Sequence, residues 1–351
     1  MAFKALAPME SEDDKEPKPA EPPFFGIPGL PPRVLEIYAR LWQLETWLRQ
    51  LVYVHLRAKA GDAWDAYVQR AARPKTNDKR LTHMPTAEES LLSYAQLSEV
   101  RSIIGDNWTM FESYLPPRNL WDAKLDEVMQ IRHRVAHFRS AHVDDLGRVV
   151  QLLRDLDPGI WRFCTSYNDP CPVLPPEDDP VIAAFQHLDC FAWTKVGDKQ
   201  WARVGHAEET DRLTVTMEIL SMPWGEWSVP IAGREGFLYD VTIYARGRHN
   251  HDFERLLKYT QALHRHIVHF CLDGGKKSFR FTIPAVLGGD TLIAVITKFH
   301  DATLNALRPG FDMLAEERVQ HFADSQPEHV LGPAHPMTFL TPDMRCSIFG
   351  V

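Results

Sequence analysis

Ile131-Arg132-His133-Arg134-Val135-Ala136-His137-Phe138-Arg139 closes a helical run that begins near Leu120. Placed at about 100° per residue, its side chains separate into two faces. Val128, Ile131, Val135 and Phe138 fall within about 80°, the apolar stripe that a helix buries against a core. Arg132, His133 and His137 spread over about 140° of another side, with the small Ala136 and Ser140 between them. A permanent cation and two imidazoles thus share one face, an arrangement that needs a partner surface to complete it. The stretch predicts an all-helical unit with a polar site near one helix end.

Working outward, the preceding sequence is helical by the same period. Arg33 to Ala60 carries Val34, Ile37, Leu41, Leu44, Leu48, Leu51, Val52 and Leu56, and Gly61 stops it. Asp62 to Ala72 reads as a short helix, and Arg73 to Pro85 as a polar loop. Thr86 with Glu89 reads as a capping box for a helix reaching Ile104. Pro116-Pro117 breaks the chain, and Asn119 is placed to cap the helix of the opening stretch. Asp144 to Asp155 forms a last helix, its end marked by Asp157-Pro158-Gly159.

Either side of this helical unit the composition changes. Residues 1–32 form an acidic, proline-rich tail expected to be disordered. Residues 169–180 (DPCPVLPPEDDP) read as a linker. Beyond it, Leu213 to Leu220 and Phe237 to Tyr244 alternate as strands do around a Pro/Gly/Trp-rich turn. His251 to Leu272 reads as a helix, Lys277 to Val286 and Thr291 to Ile296 as strands, and Thr297 to Leu307 as a helix. The expected architecture is α+β with two domains: a helical bundle over 33–168 and an α+β unit with a mostly antiparallel sheet over 181–351.

The bulk properties exclude several classes. With 351 residues, 44% hydrophobic and 25% charged, the chain is ordinary globular protein. It has no apolar run long enough for a membrane span and no signal-peptide pattern, which predicts a cytoplasmic protein. Five scattered cysteines without a CxxC pair argue against a disulfide framework or a zinc ribbon. The net charge of −8 gives no general attraction to nucleic acid. That acidity lies in the tail and the second half, however, and Arg33 to Asn168 is slightly basic. A polyanion could be handled there and hardly elsewhere. The chain lacks a phosphate-binding GxxxxGK[ST] loop and a nucleophile elbow, and no cofactor is expected.

Three segments carry a resemblance: LWQLETWLRQLVYVHL (41–56), SLLSYAQLSEVRSIIGDNWTMF (90–111) and KLDEVMQIRHRVAHFR (124–139). Together they resemble the HEPN superfamily, and within it the Swt1-type domain. The family motif is Arg, usually a polar residue next, then His several positions on; here it is Arg132, His133 and His137. The same pattern occurs by chance at Arg49 to His55, within a core-forming helix, and at Arg246 to His251, within a turn. The resemblance covers the helical half alone. It implies cleavage of RNA (tRNA or mRNA) without a metal by a homodimer whose motif helices face each other, leaving 2′,3′-cyclic phosphate and 5′-hydroxyl ends. It further implies a setting of antiviral defence (abortive infection) or a toxin–antitoxin pair, with an antitoxin or a phage-derived trigger as partner.

The residue types suit that chemistry. Histidine titrates near neutrality and can act as acid or base, and arginine offers a forked donor to phosphate oxygens. Arg132, His137 and His133 are therefore the candidate catalytic residues. Arg139, about 20° from Arg132 on the wheel, is a candidate for a flanking phosphate. Glu45 on the first helix is a candidate for orienting the arginine. Some superfamily members carry, two residues after the motif His, a Tyr that a partner nucleotidyltransferase modifies; Arg139 stands at that position here. His133 and His137 also have the spacing of two zinc ligands on one helix, but no third ligand of fitting spacing lies nearby, and no metal site is expected. His264, His266 and His269 (in YTQALHRHIVHF) read as packing or surface histidines. The alternative to an enzyme is a non-catalytic HEPN dimerisation module coupled to a ligand- or partner-sensing C-terminal half.

Overall fold

The computed structural model describes residues 31–84, 90–168, 172–173, 179–189, 192–198, 200–203 and 212–309, with short pieces at 319–320, 324, 331–332 and 335–336. The helical half comprises α1 (Pro32–Ala60), two 3-10 turns over Gly61–Tyr67 and Gln69–Ala71, α2 (Ala72–Asp78), α3 (Leu97–Asp106), α4 (Trp108–Phe111), α5 (Arg118–Ala136) and α6 (Asp145–Asn168). The second half comprises β1 (Pro172–Val173), α7 (Pro180–Phe185), β2 (Trp193–Gly197), β3 (Gln200–Arg203), β4 (Leu213–Ser221), β5 (Phe237–Ala245) and β6 (His249–His251). It continues with α8 (Phe253–Thr260), β7 (His269–Leu272), β8 (Ser278–Pro284), α9 (Gly289–Asn305) and β9 (Leu307–Pro309). The fold is α+β: helices first, then an antiparallel sheet in the order β1-β4-β5-β8-β7 with helices packed on it.

α1 is the axis of the helical half. Ile37, Leu41, Leu44, Leu48 and Leu51 are buried at helical spacing, and Gly61 at φ +56° ends the helix in a conformation costly to any side chain. From Tyr53 to Ala58, however, every residue is buried, so this end of α1 is enclosed on all sides. The enclosing element is the loop between β4 and β5. Trp224 Nε1–H donates to His55 Nδ1 at 2.8 Å, and Gly236 N–H donates to the Ala58 carbonyl at 3.0 Å. Leu220, Met222, Leu238 and Val268 of the second half join the same apolar core as α1, α3, α5 and α6. A second core lies between the other face of the sheet and α8 and α9, built on Phe270, Phe281 and Phe299.

Several expectations are corrected here. α6 does not stop at Asp157-Pro158-Gly159 but runs through it to Asn168. Pro158 forfeits one helical hydrogen bond, and Gly159 lets the helix approach the Tyr114 backbone so closely that a Cβ would lie 1.7 Å from its carbonyl oxygen. Arg73 to Pro85 is no plain loop, since α2 occupies its first part, and Asp62 to Ala72 is two 3-10 turns. Thr86 and Glu89 lie outside the described residues, and the α-helix expected from them is present only from Leu97. Asn119 is inside α5, whose N-cap is Pro117. Within the expected linker, Pro172 and Val173 pair with Leu220 and Ile219 as an edge strand. Thr291 to Ile296 is helical: its burial at Leu292, Val295, Ile296, Phe299 and Thr303 follows a period near 3.6, which a short β-branched run concealed. His251 to Leu272 divides into β6's last residue, α8, a 3-10 turn and β7.

Candidate nucleic-acid site

α5 buries Trp121, Leu125, Val128, Ile131 and Val135 against the core, which turns Arg132, His133 and Arg134 toward its other side. The helix stops at Ala136, one residue short of the motif histidine. His137 is its C-cap, Phe138 follows at φ +55°, and the chain turns away. Phe138 N–H donates to the Val135 carbonyl at 3.1 Å and Arg139 N–H to the Arg134 carbonyl at 3.0 Å. This is the Schellman arrangement, with phenylalanine at the left-handed position that glycine normally fills. A bulky residue there costs about 1–2 kcal/mol. The expectation that Phe138 joins the buried stripe is wrong: it is 98% exposed. The wheel argument for Arg139 and Ser140 fails for the same reason, because both lie beyond the helix.

Arg132 is held from α1. Its Nε–H donates to Glu45 Oε1 at 3.0 Å, and the other oxygen, Oε2, accepts from Arg49 Nη2 at 2.7 Å. Arg49 Nη2 is itself fixed by the Ala95 carbonyl at 2.9 Å. Glu45 is 12% exposed and Arg132 38% exposed, so the carboxylate forms a floor with the guanidinium above it. Binding through Nε leaves the terminal Nη1 and Nη2 of Arg132 without a partner among the described residues. Those are the atoms that form a fork to a phosphate. Glu45, expected to orient the arginine, is in direct contact with it. The part of Arg49 was missed; its i,i+4 spacing from Glu45 was the available signal.

His133 and His137 lie side by side, their ring centroids 4.5 Å apart at an interplanar angle of 64°. Beside them opens a hollow of about 310 Å3, lined by His133, Arg134, Arg139, Arg148, Glu127 and Gln130 among others. Its loop wall is anchored by the buried Asp145, which accepts from Arg134 Nη2 at 2.6 Å and from the His142 N–H at 2.8 Å. A second hollow of about 410 Å3 adjoins it and shares Glu127 and Arg148, which are ion-paired to each other. The Arg139 guanidinium has no hydrogen-bond or ion-pair partner among the described residues. The structure therefore pairs Arg132 with Glu45 and sets His133 beside His137 at the end of the same helix, and it places Arg139 around the helix end, in the hollow with His133.

The three histidines of YTQALHRHIVHF have partners within the fold. His264 contacts the Thr260 hydroxyl at 3.0 Å, His269 the Thr282 hydroxyl at 2.8 Å, and His266 lies 2.6 Å from Asp62. No cluster of metal-ligating residues occurs among the described residues. No helix among them is long and apolar enough to cross a membrane.

Comparison with protein families gives one match: residues 51–152 fit the SAV2148-like HEPN domain. The segment includes Arg132, His133, His137 and Arg139, and begins six residues after Glu45. The matching model is that of the SAV2148-like branch, where the sequence pattern resembles the Swt1 type. No curated protein and no solved structure matches the chain. Domains of this superfamily are often ribonucleases, and they commonly dimerise and bind RNA. Residues 51–152 of the helical half thus match a HEPN domain model, consistent with the resemblance to that superfamily.

Proposed function

We propose that the protein is an endoribonuclease that cleaves RNA without a metal, with its active unit in residues 33–168 and its second half, 181–351, acting as a sensing or restraining unit. One observation carries this reading: inside the HEPN-matched segment, Arg132 is fixed through Nε by Glu45 while its terminal nitrogens have no partner among the described residues, and His133 and His137 lie side by side at the end of the same helix.

The reaction follows from these groups. A base takes the proton of the RNA 2′-hydroxyl, and the 2′-oxygen bonds to the adjacent phosphorus. The bond to the 5′-oxygen breaks, and an acid returns a proton to that leaving oxygen. The products are a 2′,3′-cyclic phosphate and a 5′-hydroxyl. Arg132 neutralises charge on the pentavalent phosphorane, commonly the largest contribution in such catalysis. An in-line displacement needs its acid and base on opposite sides of phosphorus. His133 and His137, with centroids 4.5 Å apart, occupy one side. The second proton-transfer group then comes from another copy, which favours a two-fold dimer. Tyr38 and Trp42, exposed by 62% and 63%, lie on the same face of α1 as Glu45 and suit that contact. His137 acts as acid or base, and His133 orients the substrate or assists. Action on tRNA or mRNA under control of a phage-derived trigger or an antitoxin fits this chemistry.

The test is cleavage of total tRNA and mRNA by the full chain with EDTA present. Wild type, Arg132→Ala and His137→Ala are run together and the product ends mapped. Cutting by wild type alone, with cyclic phosphate ends, is expected. Equal cutting by His137→Ala, or cutting that EDTA abolishes, would overturn the mechanism.

A further inference from the structure

Phe138 combines two costs that folding does not recover. Its backbone sits at φ +55°, where glycine or asparagine would close the same helix cap with little strain. Its ring is 98% exposed and so gains nothing from burial. Strain held at a position whose side chain does no packing points to a use outside the fold. The neighbours indicate which use. His137 precedes it, and Arg139 follows it and lines the hollow of about 310 Å3 together with His133, Arg134 and Arg148. An aromatic face flanked by an imidazole and an unpaired guanidinium suits a flat π-system joined to a phosphate. A purely apolar protein partner would have to bury those cations.

We propose that Phe138 is a stacking platform for a nucleobase of single-stranded RNA next to the scissile phosphate, with Arg139 holding the phosphate of that nucleotide. The left-handed cap is what presents the ring. It ends α5 at His137 and turns the next side chain out of the helix surface, away from the stripe where the 3.6-residue period would have buried it. The phosphate of the stacked nucleotide lies in the hollow shared by Arg139 and His133, so stacking sets which bond reaches His137. Any base has a face to stack, and the platform therefore fixes register along the strand more than sequence. The inference rests on the ribonuclease reading for its substrate, but stacking itself can be read without turnover.

The experiment measures binding of a 2′-O-methylated, uncleavable single-stranded RNA by fluorescence anisotropy, using the full chain. The proteins are wild type, Phe138→Ala and Phe138→Trp, and a matching series of RNAs carries one abasic site at each position. Phe138→Ala is expected to weaken binding by about five- to hundredfold, the range of one lost base stack, and Phe138→Trp to restore it. One abasic position should cost wild type the same factor and cost Phe138→Ala nothing further. Unchanged binding by Phe138→Ala overturns the proposal, as does absence of RNA binding by wild type. A loss of binding that follows a shift to monomer in sedimentation, equal for intact and abasic RNA, overturns it in favour of a subunit contact. Abasic-sensitive binding without any cleavage of ordinary RNA would refute the ribonuclease reading and leave the platform standing.

Discussion

Mild acid should destabilise this protein, because three histidines are buried in the neutral form. His55, His251 and His269 are almost completely enclosed. Burial pushes their pKa values down, to about 3 for His55, about 4 for His251 and about 3 for His269, where Arg280 adds to the effect. At His55 the tautomer is fixed: Trp224 Nε1–H can only donate, so Nδ1 must be unprotonated. The unfolded chain takes up protons near pH 6.5 and the folded one does not, so stability is intact above that value and falls as pH drops toward the folded pKa values. Between about pH 7.5 and 5.5 each histidine removes about 1.4 kcal/mol, so the three together remove about 4 kcal/mol. That is a large part of the roughly 5–15 kcal/mol by which domains are stable. Urea unfolding, followed by tryptophan fluorescence and circular dichroism at three pH values, measures it. His55→Gln keeps an acceptor for Trp224 and cannot titrate, and it should remove about a third of the dependence. A total loss below about 2 kcal/mol over this interval, or an unchanged dependence in His55→Gln, would refute the linkage.

Two further outcomes are expected. Gly159→Ala would set a Cβ 1.7 Å from the Tyr114 carbonyl oxygen, backbone against backbone with no rotamer to relieve it. The cost should reach about 3 kcal/mol or more, read as a lower urea midpoint at unchanged slope. Glu45→Gln removes the charge that holds Arg132 Nε, and RNA cleavage should lose kcat at least about tenfold with little change in KM. Placed on an Arg132→Ala background it should cost nothing more, since the carboxylate acts through that arginine; additive losses would separate the two residues.

What could be read from the chain alone follows the physics of each signal. α1 and α5 were legible because long apolar periodicity is redundant: Ile37 through Leu56 and Trp121 through Val135 state the same face repeatedly. Strand pairing of 213–221 with 237–245 was legible from alternation around a turn. Short segments failed. Thr291 to Ile296 is too brief and too β-branched for its period to show, and only its continuation to Thr303 reveals the helix. Pro158-Gly159 reads locally as a stop, whereas its meaning is the approach of α6 to Tyr114, a partner 45 residues away. At the site, Arg132 and the two histidines were evident from residue type. Phe138 was not, since a period calculation assumes that the helix continues, and a left-handed phenylalanine is among the least expected ways to end one.

The enclosed end of α1 bears on how separable the two halves are. Tyr53 to Ala58 has no solvent-facing side, because the loop carrying Trp224 and Gly236 covers what the bundle leaves open. A fragment cut within 169–180 would wet that surface and strip His55 of its only hydrogen-bond partner among the described residues. The same helix, three turns earlier, supplies the carboxylate beneath Arg132. The helical half thus shares its first helix at one end with the loop of the sheet and, three turns earlier, with the guanidinium of Arg132, so a cut between the halves is expected to weaken the helix on which that arginine rests.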